Sequence, residues 1–218
     1  MSLESERRKP RLARIVAPVV AGAFLLAGCA ELLPGQGPPP RLFTLSPKST
    51  FETSLPRVDW QLVVELPIAA AGLDTTRVAL YRNPLELEYY ARASWTDRAT
   101  QLVQTLIVES FENSHRIVAV GRESLGLRAD FVLKAELREF QAVYTGSNPS
   151  AVVQIHAKLV AMPERTIVAS ERFEATVAAS HDAIEPVIAA FDAALGKTLR
   201  DLVGWTLVEG EAVRRNRR

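Results

Sequence analysis

Apolar residues spaced three and four positions apart predict two amphipathic helices. The first apolar stripe consists of Trp95, Ala99, Leu102, Val103, Leu106, Ile107 and Phe111. Ser94 lies three residues before Asp97, a spacing typical of a capping box, so we expect this helix to begin near Ser94. The second stripe consists of Ile184, Val187, Ile188, Phe191, Leu195, Leu199, Leu202 and Val203. Because proline is tolerated only in the first turn of a helix, Pro186 indicates that this helix begins between Asp182 and Pro186.

Strict alternation of apolar and polar residues predicts three long strands, at 131–140, 152–161 and 166–177. In the second of these, Val153, Ile155, Ala157 and Leu159 are expected to face the core. The third loses the alternation around Val168, which indicates a bulge. Shorter strands are predicted at 42–45, 61–66, 78–81, 85–90 and 117–120. Together these elements predict an α+β two-layer sandwich, with a mainly antiparallel sheet and both helices on one face.

The N-terminal pattern differs from the rest of the chain and is typical of a secretory leader. Five basic residues precede an apolar run from Ile15 to Ala27, about 13 residues long, which is shorter than the roughly 20 needed to span a bilayer. The run ends in Leu26-Ala27-Gly28-Cys29, the bacterial lipobox. Cys29, the only cysteine in the chain, is therefore the predicted lipidation site and the first residue of the mature protein.

The predicted organisation has four parts. Residues 1–28 form the signal peptide, and residues 29–41 form the lipid anchor with a Pro-rich tether that contains Pro38-Pro39-Pro40. Consecutive prolines favour extended polyproline geometry, so the tether is expected to be semi-rigid. Residues 42–208 form the main domain, and residues 209–218 form a basic tail. Since Ala30 rather than Asp follows the cysteine, delivery to the outer membrane is favoured over retention in the inner membrane.

Charge argues against a nucleic-acid partner. The whole chain has a net charge of +1, but the leader removes five basic and two acidic residues, which leaves about −2. Four of the remaining basic residues are the terminal Arg214, Arg215, Arg217 and Arg218. We predict either a frayed, solvated end or a segment attracted to anionic lipid headgroups.

No motif of catalysis, cofactor binding or metal binding is evident in the sequence. The spacing of His115, His156 and His181 does not match a metal-ligand pattern, and His156 is expected on a solvated strand face. Ser124 lies in a segment one residue too long for a nucleophile elbow. We therefore predict a protein that is not an enzyme and that has no cofactor and no bound metal.

One stretch combines aromatic and arginine side chains, the residue types enriched at protein interfaces. We predict a candidate partner interface formed by Arg77, Tyr81, Arg82, Tyr89 and Tyr90. The alternative is that Trp95 and one face of the tyrosines belong to the core.

Several segments, in this order along the chain, resemble the ABC-type transport auxiliary lipoproteins. They are the lipobox with Phe43-Thr44-Leu45, the Leu-Asp stretch at 73–80, the Tyr-to-Trp stretch at 87–97, the strand at 127–133, and Glu139-Phe140. The resemblance covers most of the mature chain, from about Leu42 to Trp205. It implies a non-enzymatic envelope subunit that works with an MCE-domain periplasmic protein and an ABC permease and ATPase in phospholipid transport. Of the site residues, only Cys29 transfers, as the lipidation site.

Two other functions stay open at this point. The first is an outer-membrane lipoprotein that assembles or plugs a β-barrel partner, and the second is a lipid-anchored hydrolase, for which the sequence offers no nucleophile–base pair. In either case the protein would be anchored on the periplasmic side of the cell envelope through Cys29. The sequence also leaves open whether the chain forms a homo-oligomer.

Overall fold

A long central strand organises the sheet. In the computed structural model, which describes residues 39–126 and 128–217, this strand is β7 (Phe131–Val143). The other strands are β1 (Arg41–Phe43), β2 (Val58–Val64), β3 (Ile68–Ala69), β4 (Arg77–Asn83), β5 (Glu86–Trp95), β6 (Ile117–Arg122), β8 (Ser150–Ala161) and β9 (Thr166–Ala178). The helices are α1 (Ala99–Ser114) and α2 (Ile184–Asn216). Residues from Pro40 onward form one compact unit.

The sheet forks at β7. Along one edge, β7 pairs with β8 over its whole length, and β8 pairs with β9, all antiparallel. Along the other edge of β7, three strands lie one after another, and each is parallel to β7. β2 lies beside its start, β3 beside its middle and β4 beside its end. One branch of the fork then continues from β2 to β6, and the other from β4 to β5 and β1.

The predicted α+β class is confirmed, but the predicted two-layer sandwich with a mainly antiparallel sheet is not. The sheet is mixed, because β2, β3 and β4 all run parallel to β7 and β6 runs parallel to β2, and it is also curled. Alternation of apolar residues reports which face of a strand is buried. It carries no information on strand direction, which depends on connections such as the crossover through α1.

Both helices pack on one side of the sheet and share a single hydrophobic core with it. The core includes Trp60, Leu62 and Val64 from β2, and the inward-facing residues of β8 that the alternation predicted. Those four residues, Val153, Ile155, Ala157 and Leu159, are completely buried. The predicted bulge in β9 is also present, because Leu159 pairs with Ala169 while the next residue, Val160, pairs with Ile167.

The predicted start of the first helix is wrong. Ser94 lies in β5 and pairs with Leu42 and Arg77, and β5 continues through Trp95. The helix begins at Ala99, and its N-cap residue, Arg98, makes no capping hydrogen bond through its side chain. Trp95 fits the helical stripe only because the end of β5 packs in the same core that α1 covers. The apolar pattern therefore extends beyond the start of the helix into the preceding strand.

The C-terminal segment is also more ordered than a frayed end. Helix α2 continues through Asn216, well past the predicted tail boundary at residue 209. Its last turns are held by tertiary ion pairs, from Arg214 to Asp130 at 3.2 Å and from Arg217 to Glu164 at 3.3 Å. The prediction of a frayed end is therefore wrong for residues 209–216.

Two glycines of α2 should respond in opposite ways to replacement by alanine. At Gly210, a Cβ atom would lie 2.6 Å from Cζ2 of Trp60, a completely buried side chain. At Gly196, nothing lies within 4 Å of the added atom. Alanine favours a helix by about 0.8–1 kcal/mol over glycine, whereas overpacking a core costs roughly 1–3 kcal/mol.

We therefore expect Gly196→Ala to raise the free energy of unfolding and Gly210→Ala to lower it by up to about 2 kcal/mol. Urea unfolding of the two variants and the unchanged protein, followed by far-UV circular dichroism, measures both effects. A Gly210→Ala protein as stable as Gly196→Ala would show that α2 and β2 are not in contact at this position.

Candidate functional site

A groove of about 800 Å³ opens on the face of the sheet that carries no helix, at the end where β7 begins. Its floor is a ladder of apolar side chains in register across four neighbouring strands. Val63 of β2 pairs with Val132 of β7, Val132 pairs with Val160 of β8, and Val160 pairs with Ile167 of β9. We call these four residues the apolar ladder. The three valines are buried, and Ile167 is 54% exposed at the edge.

Charged side chains surround the apolar ladder. Lys134 donates to both carboxylate oxygens of Glu65, at 2.8 and 2.6 Å. Arg128 and Arg165 also line the groove, and within the described ranges neither forms an ion pair. An apolar floor with guanidinium groups at the rim suits a partner that offers apolar side chains and a carboxylate.

Asp130 holds one side of the groove in place. Its Oδ2 accepts a hydrogen bond from the backbone N–H of Gln61 at 2.8 Å, and its Oδ1 accepts one from Arg214 of α2. The backbone N–H of Met162 donates to the Asp130 carbonyl oxygen at 2.8 Å. One residue therefore links β2, the end of β8 and the C-terminal turns of α2, which keeps the groove preformed.

The five residues of the predicted partner interface do not form one patch. Arg77 lies over the ring of Tyr89, 3.7 Å from its centroid, and the Tyr89 hydroxyl donates to the Gly72 carbonyl oxygen. Strand pairing places Tyr81 on the same helix-free face as Tyr89, since Tyr81 pairs with Leu87. Arg82 and Tyr90 alternate to the opposite face. Their role as a binding interface stays a prediction.

Arg82 and Tyr90 meet around Tyr144, which follows the end of β7. The Arg82 guanidinium lies 4.8 Å from the centroid of the Tyr144 ring, and the Tyr90 and Tyr144 hydroxyl groups are 3.0 Å apart. Tyr144 in turn donates to Asp182 at 2.7 Å, just before α2. Burial raises the pKa of Tyr90 far above its ordinary value, and the hydrogen bond with Tyr144 adds to this effect, so its hydroxyl stays protonated. Trp95 is completely buried in the core, as the alternative predicted.

The Leu-Asp stretch has a structural explanation. Asp74 accepts hydrogen bonds from Arg98 at 2.5 Å and from the Thr100 hydroxyl at 2.7 Å, so it fixes the start of α1. The hydrogen bond from Arg98 holds the pKa of Asp74 below its usual range. Its side chain therefore remains charged and serves to position the helix.

The remaining candidates lie apart from one another. His115 is the C-cap of α1, and His156 lies on the solvated face between Arg138 and Ser170. Ser124 lies in a short 3-10 turn at Glu123–Leu125. Among residues 39–126 and 128–217, no three His, Cys, Asp or Glu side chains are grouped to hold a metal ion. In the same residues, no helix is long and apolar enough to cross a membrane.

The lipobox residues Leu26, Ala27 and Gly28 and the lipidation site Cys29 lie outside the described residues, as does the tether up to Pro38. Sequence reasoning missed the groove, although a signal was present. At the same end of three strands the alternation fails and three apolar residues follow one another: 62–64, 131–133 and 159–161. In a half-solvated sheet, such a run places an apolar side chain on the open face.

The fold defines the class: an α+β domain with helices on one face of a mixed sheet and a groove on the other. The family model described as ABC-type transport auxiliary lipoprotein component matches residues 43–203. The chain belongs to this family, which confirms the resemblance drawn from the sequence. The family consists of auxiliary lipoprotein components of ABC-type transport, which indicates a location in the cell envelope.

Solved structures agree with this membership. The chain is 34% identical to protein XCC0632 from Xanthomonas campestris, with a TM-score of 0.77 over 80% of this chain and 99% of that one. An uncharacterized protein of known structure shares the fold at 12% identity, with a TM-score of 0.59 over 76% of this chain and 97% of that one. A protein of Bradyrhizobium diazoefficiens is 28% identical over 193 residues, which is 84% of this chain. The chain spans about half the length of that relative.

Proposed function

We propose that this protein is the non-enzymatic, lipid-anchored subunit of an MCE-type lipid transport system. In this proposal Cys29 anchors the chain to the periplasmic side of a membrane, the outer membrane in preference to the inner one. Its partners are an MCE-domain periplasmic protein and the ABC permease and ATPase. The observation that supports it most is the family match over residues 43–203, joined to a preformed groove that has the composition of a protein-binding surface.

The apolar ladder is the surface that we assign to the MCE-domain partner. Its three valines form the buried floor of a groove with a charged rim, and Ile167 opens this floor to solvent at one edge. The rim arginines Arg128 and Arg165 would pair with carboxylates of the partner, and Ile167 is the ladder residue most open to it. Self-association through the same surface would give a homo-oligomer.

A charge placed at the edge of the ladder should weaken this contact. Ile167→Glu would place a carboxylate in the apolar part of the interface and let it compete with the partner for Arg165, and we expect about tenfold less MCE protein to co-purify with it. Val208→Glu is the matched control, since Val208 is 47% exposed on α2, on the other side of the molecule. Pull-down of each full-length variant from its native membranes, with the MCE protein and permease quantified by mass spectrometry, is the measurement.

Equal recovery of the MCE protein with Ile167→Glu and Val208→Glu would overturn the assignment of the ladder. Recovery of a β-barrel in place of the MCE protein and permease would instead support the assembly or plug function. Circular dichroism of both variants verifies that each is folded.

A further inference from the structure

The outer edge of β9 has backbone groups that can accept a further strand. β9 pairs with β8 along one side, and in the part of the chain that the structure describes no strand pairs with its other side. The backbone N–H of Ala179, just after β9, donates to the Pro149 carbonyl oxygen at 2.8 Å. Because N–H and C=O groups alternate in direction along a strand, the even-numbered residues from Ser170 to Ala178 direct theirs away from β8. This row of donors and acceptors is the pairing site of an edge strand.

The charges on this edge have a self-complementary order. Arg172, which pairs with His156 on the helix-free face, and Glu174 are both exposed, and Phe173 lies between them on the opposite face. Among the described residues Arg172 forms no ion pair, and Glu174 accepts a hydrogen bond from the Gln154 amide at 2.7 Å. If two copies of β9 run antiparallel about a two-fold axis at Phe173, Arg172 of each copy lies opposite Glu174 of the other. An axis at Arg172 or at Glu174 would instead place two like charges directly opposite, which destabilises a sheet.

The helix side of the same edge carries an aromatic pair. The ring of Phe173 lies 5.5 Å from that of Trp205 of α2 in a T-shaped arrangement. Phe173 is buried, but Trp205 is only partly buried, so part of the indole is open to a further contact. A two-fold axis at Phe173 brings both aromatic pairs to the centre of the contact, where interfaces concentrate large aromatic side chains. The order of the charges and the position of the aromatic pair therefore favour the same axis.

We propose that two copies of this chain pair through the outer edge of β9, antiparallel about a two-fold axis at Phe173, and form a homodimer with one continuous sheet. This surface is separate from the apolar ladder, so the inference does not depend on the proposed function. The bulge at Val168 ends the regular pairing before Ile167, which leaves the ladder open. Because the axis is perpendicular to the sheet, the dimer presents two apolar ladders on one face.

Reversal of one charge at a time tests this register. In a dimer of Arg172→Glu, two carboxylates face each other at both pairs, and in a dimer of Glu174→Arg two guanidinium groups do. We expect each variant alone to dimerise about tenfold more weakly than the unchanged protein. An equal mixture of the two variants restores opposite charges at both pairs, so it should recover the dimer. Lys158→Glu is the matched control, since Lys158 is an exposed cation on the same face, one strand away from the edge.

The measurement is the protein mass of the full chain, purified in detergent, by light scattering during gel filtration over a range of concentrations. We expect a two-chain mass for the unchanged protein, for Lys158→Glu and for the mixture, at a concentration where each edge variant alone has the mass of one chain. Circular dichroism verifies that every variant is folded. An unchanged protein that stays monomeric, an edge variant that dimerises as well as Lys158→Glu, or a mixture that stays monomeric would overturn the proposal.

Discussion

Phe191→Ala is expected to lower the free energy of unfolding by about 3–5 kcal/mol. Phe191 is completely buried in α2. Its ring lies 5.2 Å from that of Trp95 in a T-shaped arrangement and 5.2 Å from that of Phe140. These contacts hold α2 against β5 and β7, so the substitution removes buried area and favourable ring geometry together and leaves a cavity.

Two further variants make this expectation specific. Phe191→Leu keeps most of the volume and should lose less than Phe191→Ala. Phe51→Ala removes the same group from a half-buried site at the edge of the core and should also cost less. Chemical unfolding at equilibrium gives all three values. A loss at Phe191 no larger than that at Phe51 would contradict the placement of α2 over the aromatic cluster.

Cys29→Ala is expected to move the protein from the membrane fraction to the soluble fraction. Each buried methylene contributes roughly 0.8 kcal/mol, so one acyl chain binds marginally whereas several chains anchor almost permanently. Without them, we expect the domain to lose its stable hold on the membrane. The variant should be exported behind a leader that ordinary signal peptidase removes, because an uncleaved apolar leader would itself bind lipid.

Fractionation of cells with quantitative immunoblotting measures this effect. The unchanged protein, with its own leader, is the control and should sediment with membranes after a high-salt wash. A Cys29→Ala protein that sediments as well as the control would mean that something other than a thioether-linked lipid holds the chain.

The elements of the fold could be predicted from the sequence to the extent that burial decides them. Ile155 and Leu159 face the core because alternate residues of a half-buried strand point to the same side. Pro186 marks the first turn of α2 because proline is tolerated in that turn. The bulge at Val168 was visible for the same reason. Strand direction was not visible, since the parallel pairing of β2 and β4 with β7 depends on contacts between residues far apart in the chain.

The site could be predicted less well. The groove floor is formed when register brings Val63, Val132 and Val160 side by side, and register is a property of the assembled sheet. Each of these valines lies within a run of apolar residues, but a strand buried on both faces would give the same run. The arginine–tyrosine stretch was identified as a candidate, but alternation divides it between two faces, and Tyr144 completes one half from a distant strand.

The central claim is that this chain is a lipid-anchored auxiliary subunit, and the mass of the mature protein tests it most directly. Protein extracted from its native membranes with detergent, digested and analysed by mass spectrometry should begin at Cys29, with a diacylglyceryl group on sulfur and an acyl group on the new amine. An N-terminal peptide that contains residues 1–28, or an unmodified Cys29 thiol, would contradict the account.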